Sequence, residues 1–433
     1  MRICVFGLWH LGSVTAACLA QAGHEVVGLD PDPQNIARLR RGEPPLFEPG
    51  LKDLIAAGLS SNHLQFETDA ALAVADADVV WVAFDTPVDD NDVPQVSAVV
   101  DPVTRLLGLL PDRCLVLLSS QVPVGTTRRL ADAAADAGRT DLTFGYSPEN
   151  LRLGKALEVF ARPDRVVVGL QSEADRDKVG AMLAPFTTNI IWMGLEAAEM
   201  TKHAINAFLA TSVAFMNEIA TICEMVGADA KEVERGLKSE RRIGPGAYLS
   251  PGGAFAGGTL ARDIATLSDL GRDRGAPAAL VSAVQQSNSR HHSWPLQKLK
   301  EWLRTLAGRR VALLGLTYKP GTDTLRRSAA VELALTLRSE GTTVVAFDPV
   351  VRTLPDELAG RIELASSPAA ALAQADAAVL MTPWPEFRDL SWSELVLSMA
   401  SPTIVDANWF LAQVLRKQPG IAYAAVGLPW PTT

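Results

Sequence analysis

A chain of 433 residues is long enough for two or three domains. Hydrophobic residues make up 48%, charged residues 21%, and the net charge is −9 with no basic run, which excludes an extended nucleic-acid or anionic-membrane surface but leaves room for a local cationic pocket. The four cysteines, Cys4, Cys18, Cys114 and Cys223, lack CxxC or metal-type spacing, so they are expected as free buried thiols in a reducing cytoplasm, with no metal site. A strand begins at once, and no signal peptide is visible.

In chain order, Arg2–Phe6 predicts a strand, Gly7 and Gly12 flank a turn, and Leu11–Ala22 has helical composition up to Gly23. Glu25–Leu29 predicts a second strand, ending in Asp30. This strand–turn–helix–strand unit opens a dinucleotide-binding fold. Further strands are predicted at Val79–Phe84, Leu115–Ser119, Leu142–Tyr146 and Arg165–Gly169, with helical patterns between them. Such alternation implies a mostly parallel sheet covered by helices. From Leu195 to about Gly236 the pattern is continuously helical, a spine between domains. Its most apolar run, His203–Asn217, is 15 residues, too short to span a bilayer, and reads as a core or subunit contact. The glycine-rich stretch Pro245–Asp263 is expected to remain a loop through Arg262–Asp263, with a helix resuming at Ile264. From Arg309 the alternation restarts, with strands at Arg310–Leu314, Thr343–Phe347, Ala377–Met381 and Thr403–Val405 and a helix at Val331–Glu340. The expected fold is α/β, with two Rossmann-like open parallel sheets joined by a long helical spine. Domains are expected at 1–195, 196–300 and 301–433.

The first turn reads Gly7-Leu8-Trp9-His10-Leu11-Gly12. Against the GxGxxG fingerprint, Trp9 takes the middle position, where glycine lets backbone approach a pyrophosphate. The outer glycines and the phosphate-attracting helix N-terminus remain. Asp30 suits the hydroxyls of an adenosine ribose, which favours NAD over NADP; the same pattern also fits a Rossmann fold that has lost its nucleotide. Asp85-Thr86-Pro87 follows a strand, where ligands bind in open α/β sheets, and is equally compatible with a plain turn.

Four segments carry reactive groups: Ser120–Thr127, Ser147–Leu151, Glu199–Asn206, and the glycine loop with Thr259, Arg262 and Asp263. On a helix Lys202 and Asn206 share a face, and partial burial could lower the lysine's pKa and suit it to acid–base work. Singly, each has a structural alternative: Glu149 or Asp263 as a helix cap, Lys202 reaching to solvent, Asn206 as a satisfied buried amide.

The order of segments resembles the UDP-glucose/GDP-mannose dehydrogenase family over nearly the whole chain. It includes VTAACLAQAGHEVVGLD, FEPGL at Phe47–Leu51, DTP at 85–87, SPENLRLGKA, EMTKHAINAFLATSVAFMNEIA, RIGPGAYL, LLGLTYKPGTDTLRRS and ADAAVLMTPWPEF. The resemblance implies an N-terminal NAD domain, a helical dimerisation spine and a C-terminal UDP-sugar domain. It further implies a homodimer or higher homo-oligomer, and two successive NAD-dependent oxidations at C6 of a nucleotide sugar, in polysaccharide biosynthesis. By motif it puts Lys202, Asn206 and Asp263 around the reacting carbon, with Glu149 and Leu151 in a substrate segment. Tyr248, Gly253, Phe255 and Gly257 fall in a substrate clamp, Arg242 is offered to a neighbouring subunit, and Lys319 and Arg326 come from the C-terminal domain. The cofactor set is Gly7, Trp9, His10, Leu11, Gly12, Asp30, Thr86, Pro87 and Gln121.

Three departures stand out beside a milder change, in which DDLRESP becomes Asp323-Thr324-Leu325-Arg326-Arg327-Ser328-Ala329. The family's GGSCLPKD becomes Gly257-Gly258-Thr259-Leu260-Ala261-Arg262-Asp263, one residue shorter, with Thr259 nearest the nucleophilic cysteine. The site threonine of STVP becomes Gln121, and the middle glycine of the turn becomes Trp9. A threonine hydroxyl is a far weaker nucleophile than a thiol and needs an adjacent base. The expected enzyme therefore performs the first hydride transfer and has an altered second oxidation. The alternatives are a non-catalytic nucleotide-sugar binder and a redox-neutral NAD-dependent sugar-modifying enzyme.

Overall fold

The computed structural model describes residues 1–89, 94–149, 151–256 and 258–429. They form two compact units, Met1–Ile205 and Asn206–Thr433, divided within the helix Leu195–Val226.

The first unit holds β1 Arg2–Phe6, β2 Glu25–Leu29, β3 Leu64–Glu67, β4 Val79–Val82, β5 Leu115–Leu118, β6 Thr143–Tyr146, β7 Val166–Leu170 and β8 Ile190–Met193. Their order in one sheet is β3-β2-β1-β4-β5-β6-β7-β8. The pairs are parallel except β6 with β7. β4 and β5 are buried throughout, so they read as unbroken apolar runs rather than alternating ones. Along β1, Ile3 and Val5 enter one core cluster while Cys4 and Phe6 enter the other, as the period of two requires.

The second unit holds β9 Arg310–Leu314, β10 Thr343–Phe347, β11 Glu363–Leu364, β12 Ala377–Leu380, β13 Thr403–Asp406 and β14 Ala422–Ala424. The order β11-β10-β9-β12-β13-β14 repeats that of the first six strands of the other sheet, the doubly wound pattern of a dinucleotide-binding fold. The α/β class, the two Rossmann-like sheets and the long helix are as the sequence predicts. Strands β3, β8, β11 and β14 were not anticipated.

Two local expectations are corrected. The helix from Leu195 ends at Val226, where Gly227 takes φ +78°, and a new helix, Ala230–Ser239, starts under an Asp229 cap. The glycine loop ends five residues earlier than predicted, with helix Thr259–Asp273 beginning directly after Gly258 at φ +101°. The first turn closes with Arg262 N–H donating to the Gly258 carbonyl at 2.9 Å, so Arg262 and Asp263 are helical. The long helix has 32 residues and is apolar enough in composition to cross a bilayer, so the length argument against a membrane does not hold. Its buried Glu199, Lys202, His203, Asn206 and Asn217 instead mark it as a core helix.

Candidate active site

The dinucleotide turn is built around two glycines. Gly7 sits at φ +91°, and a Cβ on Gly12 would lie 1.7 Å from the Gly7 carbonyl oxygen. The helix His10–Gln21 thus packs on the turn only without a side chain there. Trp9 has φ −74°, which needs no glycine, and its side chain is half exposed. The helix has no side-chain cap, which leaves first-turn N–H groups for an anion.

Asp30 Oδ2 accepts from the Leu8 N–H (2.8 Å) and Asn35 Nδ2 (3.3 Å), and Oδ1 from the Asp32 N–H (2.9 Å). Trp9, Asp30, Asn35 and Arg38 line a cavity of about 210 Å³. The Asn35 Oδ1 beside it is buried without a hydrogen-bond partner. A glycine cradle, a carboxylate at the end of β2 and an unanswered acceptor fit the pyrophosphate and adenosine ribose of NAD. Leu11, in the first turn of the helix, is buried.

His10 points elsewhere: its Nε2 lies 3.0 Å from Glu48 Oε2. Glu48 also accepts from the N–H groups of Gly154 and Ala156, both at 2.8 Å. Burial alone would raise its pKa, but the Gly154, His10 and Ala156 donors outweigh that and hold the carboxyl below the usual glutamate value.

At the strand ends, Thr86 Oγ1 donates to the Gln121 carbonyl at 2.7 Å, joining two predicted cofactor loops, while Pro87 is exposed. The loop after β5 is held by the long helix. Buried Glu199 accepts from the Gly125 N–H (2.5 Å), the Thr127 N–H (2.9 Å) and Thr127 Oγ1 (2.7 Å), and His203 Nε2 lies 3.0 Å from the Val122 carbonyl. Lys202 Nζ donates to the Glu149 carbonyl at 2.6 Å and lies 3.8 Å from its carboxylate, whose other oxygen accepts from the Leu151 N–H at 2.8 Å. Glu149 thus closes a turn rather than capping a helix. With Leu11, Thr15, Leu151 and Arg152 it lines a cavity of about 510 Å³.

In the second unit, Asn206 Nδ2 donates to Asp263 Oδ2, and Asp263 is fully buried. Asp263 lies one turn after exposed Thr259 on the same helix face. The glycine loop before them is pinned by side chains. The Gly252 N–H donates to Asn217 Oδ1 (3.0 Å), the Gly253 N–H to Asn408 Oδ1 (2.9 Å) and the Phe255 N–H to Asn288 Oδ1 (2.9 Å). His291 Nε2 lies 2.8 Å from the Gly252 carbonyl. Phe255 packs on a cluster with Ala207, Ala210 and Ile264. Gly257 and Asn150 lie outside the described residues.

The remaining predicted residues are surface groups. Arg242 is exposed and paired with Glu240 at 3.0 Å, and Tyr248 and Lys319 are exposed. Arg326 lines a cavity of about 730 Å³ with Asp323, Arg352 and Arg361. Sequence reasoning named Glu199 only as the start of a reactive segment and passed over Glu48, Asn217, Asn288, His291 and Asn408; the work of all six is to hold loops. Glu48 stood in the quoted FEPGL segment and Asn217 in the quoted helix, but nothing in their types announced a partner.

Similarity to known proteins agrees with this geometry. Residues 1–187, 196–290 and 312–413 match, in turn, the NAD binding, central and UDP binding domains of the UDP-glucose/GDP-mannose dehydrogenase family. The chain is 35% identical to a UDP-glucose 6-dehydrogenase of Pseudomonas aeruginosa over 99% of its own length and 98% of the relative's. It is 34% identical to one from Rhizobium meliloti, over 99% and 100%. The solved structure of a UDP-glucose dehydrogenase from Pyrobaculum islandicum superposes with a TM-score of 0.83 at 31% identity, covering 99% of this chain and 98% of that one. Fold, cofactor cradle and relatives define an NAD-dependent oxidoreductase acting on CH–OH groups. The chain belongs to the UDP-glucose/GDP-mannose dehydrogenase family.

Proposed function

We propose that the protein oxidises C6 of a UDP-sugar and that its second oxidation departs from a cysteine-thioester route. The match of residues 312–413 to a UDP binding domain and the names of the relatives support the substrate class. The observation that carries the chemistry is the buried Asn206–Asp263 pair, one helical turn beyond Lys202 and one beyond Thr259 along their respective helices.

NAD, when bound, accepts a hydride from C6. Gly7, Leu11, Gly12 and Asp30 would hold its phosphate and ribose side, with Trp9, Thr86, Pro87 and Gln121 around it. Asp263 fixes the Asn206 amide, and Lys202 with Asn206 holds the C6 oxygen as its proton leaves to Lys202 or Asp263. Glu149, Leu151 and the loop through Gly253 and Phe255 position the sugar nucleotide, with Tyr248, Lys319 and Arg326 from the same chain and Arg242 serving a neighbouring subunit.

For the second step, the thiols support no nucleophile: all four are buried, and burial raises each, Cys18 to about 12 and Cys114 to about 11. The reaction then stops at the carbonyl, or water adds to the aldehyde and the hydrate would pass a hydride to a second NAD and a proton to solvent to give the acid. Phe208, Phe215 and Ile222, exposed at seven-residue spacing on the long helix, support a homodimer. We also favour a cytoplasmic enzyme and the three-part division 1–195, 196–300 and 301–433.

The test is incubation with NAD and a panel of UDP- and GDP-sugars, with products identified by mass spectrometry against NADH formed per sugar. One NADH and an aldehyde support truncation; two and a carboxylate that survive Thr259→Ala support the hydrate. Two NADH per sugar that vanish in Thr259→Ala with sugar binding intact would overturn the altered step. Sugar binding without turnover would favour a non-catalytic or redox-neutral protein.

A further inference from the structure

The His10–Glu48 contact joins two parts of the first unit that carry different ligands in the proposed reaction. His10 is the first residue of the cofactor helix, directly after the dinucleotide turn. Glu48 holds the backbone of Gly154 and Ala156, on the segment that runs on from Glu149 and Leu151. A buried carboxylate with three donors cannot shift toward one without slackening the others. The helix, through Leu11, and the segment, through Leu151, are also walls of the same cavity of about 510 Å³.

We propose that Glu48 is a positioning residue that couples the cofactor turn to the substrate segment, so that each ligand tightens the other. This rests on the reading of Glu149–Leu151 as a substrate segment. Occupation of the helix N-terminus by the cofactor fixes His10, His10 fixes Glu48, and Glu48 fixes the backbone at Gly154 and Ala156.

The test measures UDP-glucose affinity by calorimetry with and without saturating NADH, in the wild type and in Glu48→Gln, His10→Phe, His10→Gln and the double variant Glu48→Gln/His10→Phe. The expected wild-type result is UDP-glucose binding about fivefold or more tighter with NADH present, the lower end of ordinary coupling between sites. The coupling should fall toward one in Glu48→Gln and His10→Phe, fall no further in the double variant, and return in His10→Gln, which keeps a donor toward Glu48. A purely packing role for His10 would not be rescued by glutamine. Absence of coupling in the wild type, or full coupling in both single variants, would overturn the proposal. Leu151→Ala separates the underlying reading: unchanged UDP-glucose affinity there removes the substrate segment itself, whatever the coupling does.

Discussion

The same turn occurs in both sheets, and only the first copy keeps a carboxylate and a helix end available to a dinucleotide. Gly7-Leu8 follows β1 and Asp30-Pro31 follows β2; Gly315-Leu316 follows β9 and Asp348-Pro349 follows β10. Each aspartate accepts from the leucine N–H, Leu8 at 2.8 Å and Leu316 at 2.7 Å. Each also accepts from the N–H two residues on, Asp32 at 2.9 Å and Val350 at 3.0 Å, and there the likeness ends. Asp30 accepts one further bond, from Asn35 Nδ2, and borders a cavity. Asp348 also accepts from the N–H groups of Thr317 and Val351, from Thr317 Oγ1 and from Trp384 Nε1. A carboxylate offers about four lone-pair sites, so Asp348 is saturated. The helix after the first turn begins at His10 without a side-chain cap, whereas the second begins only at Ala329, capped by Ser328 Oγ. Strand order alone therefore does not make a dinucleotide site; an unfilled carboxylate and a free helix end must accompany it.

The largest effects should come from adding one methyl group to each turn. In Gly12→Ala the new Cβ meets the Gly7 carbonyl at 1.7 Å, a clash expected to cost about 3 kcal/mol or more and to weaken NADH binding by about 100-fold. In Gly315→Ala the Cβ meets Thr382 Cβ at 2.4 Å with φ at +88°. That strain should lower stability by about 3 kcal/mol yet leave NADH affinity unchanged. Thermal unfolding and a fluorescence titration with NADH decide the matter. Equal loss of NADH binding in both variants would erase the distinction between the turns.

The aspartates give a milder version. Asp30→Asn removes a charge-assisted bond to ribose worth about 1.5–3 kcal/mol, so NADH should bind about 10- to 100-fold more weakly, with a smaller loss of melting temperature than Asp348→Asn because fewer donors face the carboxylate. Asp348→Asn turns an NH₂ group toward donors and should cost about 3 kcal/mol of stability with NADH binding intact. The contrast fails if Asp348→Asn alters cofactor affinity more than Asp30→Asn does.

The first turn was legible because its elements are local: Gly7, Gly12 and Asp30 fall within one strand–turn–helix–strand unit, and their spacing is itself the signal. The echo in the second unit was legible as alternating elements but not as a filled site, since Thr317 and Trp384, 31 and 36 residues away, reach Asp348 through tertiary contacts. The helix starting at Thr259 was missed because Gly258 was read as more loop, when its positive φ ends the loop. Lys202, Asn206 and Asp263 were found as motif positions; that Asn206 pairs with Asp263, 57 residues away, required the fold.

If the second unit does not use its Rossmann turn as the first does, its ligand contacts should depend on loops pinned by side chains, and the smallest predicted effect tests one such pin. His291 Nε2 lies 2.8 Å from the Gly252 carbonyl. Burial lowers its pKa below 6.5, against the opposing pull of the Gly252 carbonyl and Glu224. The unfolded chain therefore binds a proton at this imidazole at a higher pH than the folded one does. The stabilisation is complete above 6.5, is lost as pH falls from there through the folded value, and changes no further below it. Glutamine at this position keeps a donor for the carbonyl and removes the titration. Urea unfolding from pH 7.5 to 5 should give the wild type a steeper downward slope than His291→Gln, in which the buried His24, also lowered by burial, still titrates. UDP-glucose affinity should weaken over the same window in the wild type alone, while NADH affinity follows the same curve in both proteins. Parallel pH curves for UDP-glucose would mean that the glycine loop does not depend on this imidazole, and would leave Asn217, Asn288 and Asn408 as its pins.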